Sequence, residues 1–373
     1  PLFLVVAVTY VLATPRAPSS SAMRQAWAAL RRMIPVLLVA GALFFIVQPY
    51  ALIDPLTFLG DTGREAEIAR GTYDVPYTIQ YAGTLPFIYT IWQNVVWGLS
   101  LPLGLAGWGG LIALVIQWLR RGSRGDTLLL SWAGPSVILN GLLYAKHMRY
   151  MLPLTPVLCL LAARLLVQAA GARPLAGARR LLSPLLAALV LLPALGYALL
   201  FSSLYASPHP WVSASEWIYR NVPVGSTLVL EHWDRALPLP LEVDGIYSLS
   251  TRYTQIELPL YDEPDGIAKW EAVVDDLAES DYMVMATRRL YGSIPRVPGR
   301  YPVTTHYYDL LFAGELGFEL EQEFTRAPGW LNPGIPPLPE AAPGLLRPDE
   351  SFVVYDHPRA LVFRNAEHLP DDE

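Results

Sequence analysis

The sequence has 373 residues, 53% of them hydrophobic and only 16% charged, with a formal charge of −6 and a mean hydropathy of +0.32. A soluble domain carries about 25% charged residues, so this balance belongs to a membrane protein. It excludes a disordered chain and a nucleic-acid binder with a basic face, and the single cysteine, Cys159, excludes a disulfide-framed secreted module.

The chain opens on Pro1 inside an apolar run, so Pro1 to Ala13 reads as the end of a span whose beginning is missing, in the C-terminal part of a longer protein. Five further segments have the length and apolarity of membrane helices, which need about 20 residues. They run over Met33 to Ile53, Leu101 to Leu119, Thr127 to Ala145, Met151 to Ala170 and Leu181 to Leu204. Arginines cluster in alternate loops: Arg16, Arg24, Arg31 and Arg32; Arg120, Arg121 and Arg124; Arg173, Arg179 and Arg180. The positive-inside rule places these loops in the cytoplasm. Arg164 is then expected to snorkel from its helix to the headgroups. Trp92, Trp97 and Trp108 suit an interfacial belt, and Thr84 to Leu99 an amphipathic helix lying in the outer interface.

The composition changes around Ser207-Pro208-His209-Pro210, where long apolar runs stop and acidic residues appear. Helices are predicted over Ser213 to Asn221, capped by Ser213 or Ser215, and over Gly266 to Glu279 and Val303 to Leu316. Strands are predicted over Thr227 to Glu231, Tyr282 to Ala286 and Phe318 to Phe324, with a hairpin pairing Phe352 to Tyr355 with Ala360 to Phe363. This alternation indicates an α/β domain over 206–373, interrupted by a proline-rich loop at 327–348. Glu231-His232-Trp233-Asp234 reads as the polar end of a strand, and the acidic tail Asp371 to Glu373 as solvated.

Two places carry candidate chemistry. Lys146, His147, Arg149 and Tyr150 lie between two spans, on the side that should be poor in cations. Arginine offers a planar fork to phosphate oxygens and lysine a compact charge, so this turn suits a phosphate at headgroup height, or plain anchoring to lipids. The external loop 54–84 mixes carboxylates, cations and tyrosines, among them Asp54, Asp61, Arg64, Glu65, Tyr73 and Tyr81. Such a mixture suits sugar hydroxyls; equally, the spacing of Arg64, Glu67 and Ile68 suits a short solvated helix.

The run Lys146-His147-Met148-Arg149-Tyr150-Met151-Leu152-Pro153-Leu154-Thr155-Pro156, followed by an alanine-rich apolar helix, resembles the late membrane region of GT-C glycosyltransferases. These are the relatives of dolichyl-phosphate-mannose protein mannosyltransferases and aminoarabinose transferases. Tyr81-Ala82-Gly83-Thr84-Leu85-Pro86 adds to the likeness, which covers residues 1–205. The resemblance implies a polytopic α-helical membrane protein of about six spans followed by a small extracytoplasmic α/β domain. It implies transfer of a sugar from a polyprenyl-phosphate donor to a protein, lipid or glycan acceptor on the outer face. Lys146 and Arg149 would meet the donor phosphate, with His147 and Tyr150 beside them. The aspartate base of such enzymes would lie upstream of Pro1, and a divalent metal is compatible with the chemistry. The competing readings are a carrier, or a membrane anchor for a non-catalytic domain.

Overall fold

The computed structural model describes residues 22–170, 179–326 and 348–366. The partial span Pro1 to Ala13, nearly all of the proline-rich loop and the acidic tail lie outside the described residues. The chain divides into two compact units, one holding residues up to Tyr73 and Leu85–Gly196, the other Asp74–Thr84 and Tyr197–Glu373. The eleven residues Asp74–Thr84 thus leave the membrane-type unit and join the α/β unit.

The first unit is helical: α1 (Ala22–Val47), α2 (Pro55–Arg70), α3 (Leu101–Arg121), α4 (Arg124–Leu142) and α5 (Thr155–Ala170), with α6 (Arg179–Ser203) leading out of it. Among the described residues, three stretches are long and apolar enough to cross a membrane: Leu101–Arg121, Met148–Ala170 and one within Ser183–Asn221. Leu185, Leu189 and Leu192 on α6 are each about two-thirds exposed, as lipid-facing side chains are.

Two of the expected spans come out differently. Met33 to Ile53 is broken: α1 ends at Val47, and after Gln48 and Pro49 the chain resumes as a single turn, Tyr50–Ile53. The apolar part of α1, Met33–Val47, is shorter than a bilayer requires. Thr127 to Ala145 does form a helix, α4, but Asp126, Ser131 and Ser136 lie buried along it. α4 does not reach the hydropathy of the three apolar stretches.

The pairing of α3 with α5 is the most extensive helix contact, and it rests on small residues. Gly107 and Gly110 of α3 lie against the backbone of Leu158 and Leu161, so closely that a methyl on Gly110 would sit 2.4 Å from the Leu161 carbonyl oxygen. Leu114, Leu154, Leu158 and Leu161 fill the core around this seam.

The expected interfacial helix at Thr84 to Leu99 is not an amphipathic surface helix. Ile88–Gln93 continues into a π-helical turn, Asn94–Gly98, whose Asn94, Val95 and Trp97 are buried. Gly104 admits the backbone of Val95, which a Cβ there would meet at 2.4 Å. Trp97 and Trp108 are core residues instead of belt residues, and the Trp108 indole donates to Asn94 Oδ1 at 2.9 Å. Nor does Arg164 snorkel: its guanidinium donates to Asp126 Oδ1 and to Gln117 Oε1, each at 2.6 Å. A cation held by two neighbouring helices satisfies inside the bundle what a lone one would seek in the headgroups.

The second unit is a three-layer α/β/α domain. Its sheet has the order β4-β1-β5-β7-β6, built from β1 (Thr227–Glu231), β4 (Thr254–Leu258), β5 (Tyr282–Met285), β6 (Phe318–Phe324) and β7 (Ala360–Asn365). The first three strands in that order are parallel, and β7 runs antiparallel to both its neighbours. A hairpin of β2 (Leu241–Val243) and β3 (Ile246–Ser248) interrupts the β1 to β4 connection. Strand alternation sorts the core: Val229, Met283 and Met285 face α8 (Ile267–Ala278) and α9 (Pro302–Ala313). Leu228, Leu230 and Val284 face α7 (Pro210–Asn221).

The predicted strands and helices of this unit stand within a few residues, with two exceptions. Phe352 to Tyr355 is no hairpin strand: Glu350–Val353 is a helical turn, and β7 pairs with β5 and β6. α7 begins at Pro210, and its cap is His209, whose Nδ1 accepts from the Trp211 backbone at 3.2 Å; Ser215 instead receives the Leu239 amide at 2.8 Å.

Candidate functional site

The cation turn joins α4 to α5 in the first unit. After Leu142 the chain is extended, then winds into a 3₁₀ segment, Met148–Leu154. Asn140 donates to the Tyr150 carbonyl at 2.9 Å and Trp132 to the Pro153 carbonyl at 2.8 Å, so two side chains of α4 hold the turn. Arg149 is exposed, with its guanidinium 5.8 Å from the centroid of the half-buried Tyr150 ring. The His147 ring meets Tyr150 edge-on at 5.3 Å. Lys146 and His147 are buried, and Lys146 Nζ donates to the Tyr144 carbonyl at 3.1 Å. Burial draws the Lys146 ammonium below the ordinary lysine range. Of the four residues, Arg149 is the one that projects its charge outward.

The external loop contributes less to this turn than its composition promises. α2 runs through it, confirming the helical spacing, and Asp54 caps that helix by accepting from the Thr57 amide at 3.1 Å. Asp54 therefore lies about 22 Å along the helix from Ala69, at 1.5 Å per residue, and serves the fold there. Asp61, Arg64 and Glu65 are exposed, and Arg64 stands 5.6 Å from the ring of Tyr73. Only the far end of α2 meets the cation turn. The Ala145 amide donates to the Ala69 carbonyl at 3.1 Å, and Gly71, at φ 77°, leaves space that a Cβ would take from Tyr144.

Tyr81 is not in this group at all. It is 1% exposed, and its hydroxyl donates to Asp349 Oδ1 at 3.3 Å inside the second unit. Next to it, the Gln80 side chain receives the Glu350 amide at 2.9 Å, and Ile79 enters the core of that unit. The tyrosine that composition assigned to a sugar site is a packing residue, because its segment is docked into the α/β domain.

A second polar group, which the sequence showed only as a strand end, lies at the carboxyl edge of the parallel strands. The chain leaves β1 towards β4 on one side and leaves β5 towards β6 on the other, so their ends form the switch point at which open α/β sheets receive ligands. Asp234 accepts from Thr287 Oγ1 at 2.7 Å, while Arg289 donates to the Trp233 carbonyl at 2.7 Å and to Glu350 Oε1 at 3.0 Å. Beneath them Glu231 is buried, with Oε1 accepting from the Tyr308 hydroxyl at 2.6 Å and Oε2 without a partner. Burial pushes the Glu231 carboxyl up to about 8 and that of Glu350 to about 7, the latter held back by Arg289. Thr287, Arg289 and Glu350 had no sequence signal, since they approach Asp234 and Trp233 only through strand pairing.

Among the described residues, no three histidine, cysteine, aspartate or glutamate side chains form a group able to hold a metal ion. Comparison with known proteins returned no match: no family model, no curated protein and no solved structure is similar to the chain.

Proposed function

We propose that the chain belongs to a multi-pass membrane glycosyltransferase that uses a polyprenyl-phosphate-linked sugar, with its α/β unit on the outer face. The reading is carried by one observation: the exposed Arg149 stands in a turn fixed by α4 side chains at the entry to an apolar helix. There a planar guanidinium can take a lipid phosphate in a bidentate grip and stabilise it as it departs from the anomeric carbon. A carrier would place its ionisable groups on a path through the bilayer. Asp126 and Arg164, the pair between the helices, are instead closed on each other at 2.6 Å.

The test is binding of undecaprenyl phosphate to the purified chain in nanodiscs. Loss of a charge-assisted contact of about 1.5 kcal/mol corresponds to roughly tenfold weaker binding for Arg149→Ala. Arg149→Lys should recover part of it, and the exposed position should leave thermal stability unchanged. Equal affinity in the alanine variant would remove the phosphate role.

Orientation has its own experiment. Tyr247 on the β2–β3 hairpin is 67% exposed and can report it. In a Cys159→Ser background, Tyr247→Cys should react with an impermeant maleimide on intact cells. Labelling only after lysis would place the α/β unit in the cytoplasm.

A further inference from the structure

Trp233 stands in the turn that follows β1. It has a φ of 67°, a left-handed value unfavourable for a bulky side chain. Its side chain gains little burial in return, since the residue is 47% exposed. The surrounding contacts hold it there. Arg289 grips its carbonyl, Asp234 is tied to Thr287, and the Asp234 carboxylate also receives the Arg235 amide at 2.8 Å. Two of these anchors, Asp234 with Thr287 and Arg289 with Glu350, come from elements brought together at the carboxyl edge. Strain fixed by anchors of this kind presents a ring in one pose.

What surrounds the ring indicates the ligand. Tyr261 follows β4 and meets Trp233 at 6.2 Å and 74°, making a corner of two aromatic rings. His232 lies 6.4 Å from Trp233, with Nε2 at 3.4 Å from Asp262 Oδ1, and both its ring nitrogens are buried. Burial draws this imidazole below the ordinary histidine range, so it adds no positive charge beside Trp233. The Asp262 carboxylate is largely exposed. Arg300 is committed to Asp74 and Glu263 and Arg289 to Glu350, while Arg235, two residues after Trp233, is exposed. One exposed carboxylate, Asp262, and one exposed guanidinium, Arg235, leave no net charge that would select an ionic ligand. An aromatic face bordered by an exposed acceptor carboxylate fits a pyranose, whose C–H face stacks while its hydroxyls donate.

We propose that the carboxyl edge of β1 and β4 is a binding subsite for a neutral saccharide, with Trp233 as its stacking platform and Asp262 as its hydrogen-bond acceptor. The site is distinct from the lipid-phosphate turn, and its occupancy requires no transfer reaction, so either reading can fail alone.

The experiment titrates cellotetraose and mannotetraose into the complete chain in nanodiscs, avoiding glycoside detergents, and follows binding by calorimetry. At least one saccharide should bind saturably. Trp233→Ala should weaken it at least tenfold and Trp233→Phe by no more than about threefold, since one aromatic face replaces another. Trp233→Gly relieves the left-handed backbone, so it should fold at least as stably as the wild type and still lose binding. No binding of either saccharide, undiminished binding in Trp233→Gly, or preference for choline over both sugars would overturn the proposal.

Discussion

Gly110→Ala should lower the stability of the membrane-type unit by about 2–3 kcal/mol, while Gly109→Ala, one residue away on the same helix, should leave it unchanged or slightly raised. Both add a single methyl to α3 and both gain the same helix propensity over glycine, about 1 kcal/mol. They differ in what the methyl meets. At Gly110 it would lie 2.4 Å from the Leu161 carbonyl oxygen and 2.6 Å from the carbonyl carbon, atoms of a helix backbone that cannot rotate aside. At Gly109 its nearest neighbour is Leu165 Cδ2 at 3.3 Å, the end of a flexible side chain. Relief at Gly110 requires α3 and α5 to move apart, which opens the seam filled by Leu114, Leu158 and Leu161. In lipid no hydrophobic force restores such a pair, since the lipid tails are as apolar as leucine. Thermal unfolding of the two variants in nanodiscs checks the contrast; equal midpoints would show that the close approach carries no energy.

The second large effect is a pH dependence set by Glu231. Its folded pKa, about 8, lies above the ordinary value of 4.5, so the folded unit holds a proton that the unfolded chain has released. Stability from such a group is fully present below pH 4.5 and is lost as pH rises towards 8. Buried His357, drawn down to about 4, has the opposite sign, because its unfolded form takes up a proton first as pH falls below the ordinary 6.5. The clean window for the glutamate is therefore pH 6.5 to 8. Over that interval Glu231 accounts for about 2 kcal/mol, at roughly 1.4 kcal/mol per pH unit. Glu231→Gln keeps an acceptor for the Tyr308 hydroxyl and removes the titration. Relative to the wild type it should gain about 2 kcal/mol of stability between pH 6.5 and pH 8. A residual slope from Glu350, whose pKa is about 7, remains in both proteins. Pulse proteolysis of the complete chain at the two pH values reads this directly, and parallel pH profiles would show that Glu231 is ionised in the fold.

Much of the second unit was legible because its signals are local. Thr227 to Glu231 is a short apolar run of β-type residues, and it is β1 to the residue. Gly266 to Glu279 has helical spacing, and α8 fills it with Gly266 as the cap. Phe352 to Tyr355 misled because a buried helical turn and a buried strand share the same apolar signature over four residues. The membrane-type unit was legible in its most apolar helices. Where polar residues lie within a run, as with Asp126 or Gln48, hydropathy could not tell a complete span from a shorter or interrupted helix.

The candidate sites divide in the same way. The cation turn stands out in the sequence because a fixed charge between two apolar runs is anomalous wherever the chain folds. That Lys146 and His147 are buried while Arg149 projects outward was decided by packing against α4 and by the seat that α2 provides at Ala69. Sequence alone determined which segments must avoid water, which alternate as strands and helices, and where cations sit among apolar runs, since each depends on near neighbours in the chain. Tertiary structure alone decided that Tyr81 is core, that Arg164 pairs with Asp126, and that Trp233, Tyr261, Thr287 and Arg289 meet at one sheet edge. Those residues lie tens of positions apart, and what joins them is strand order and helix packing, which composition and periodicity do not encode.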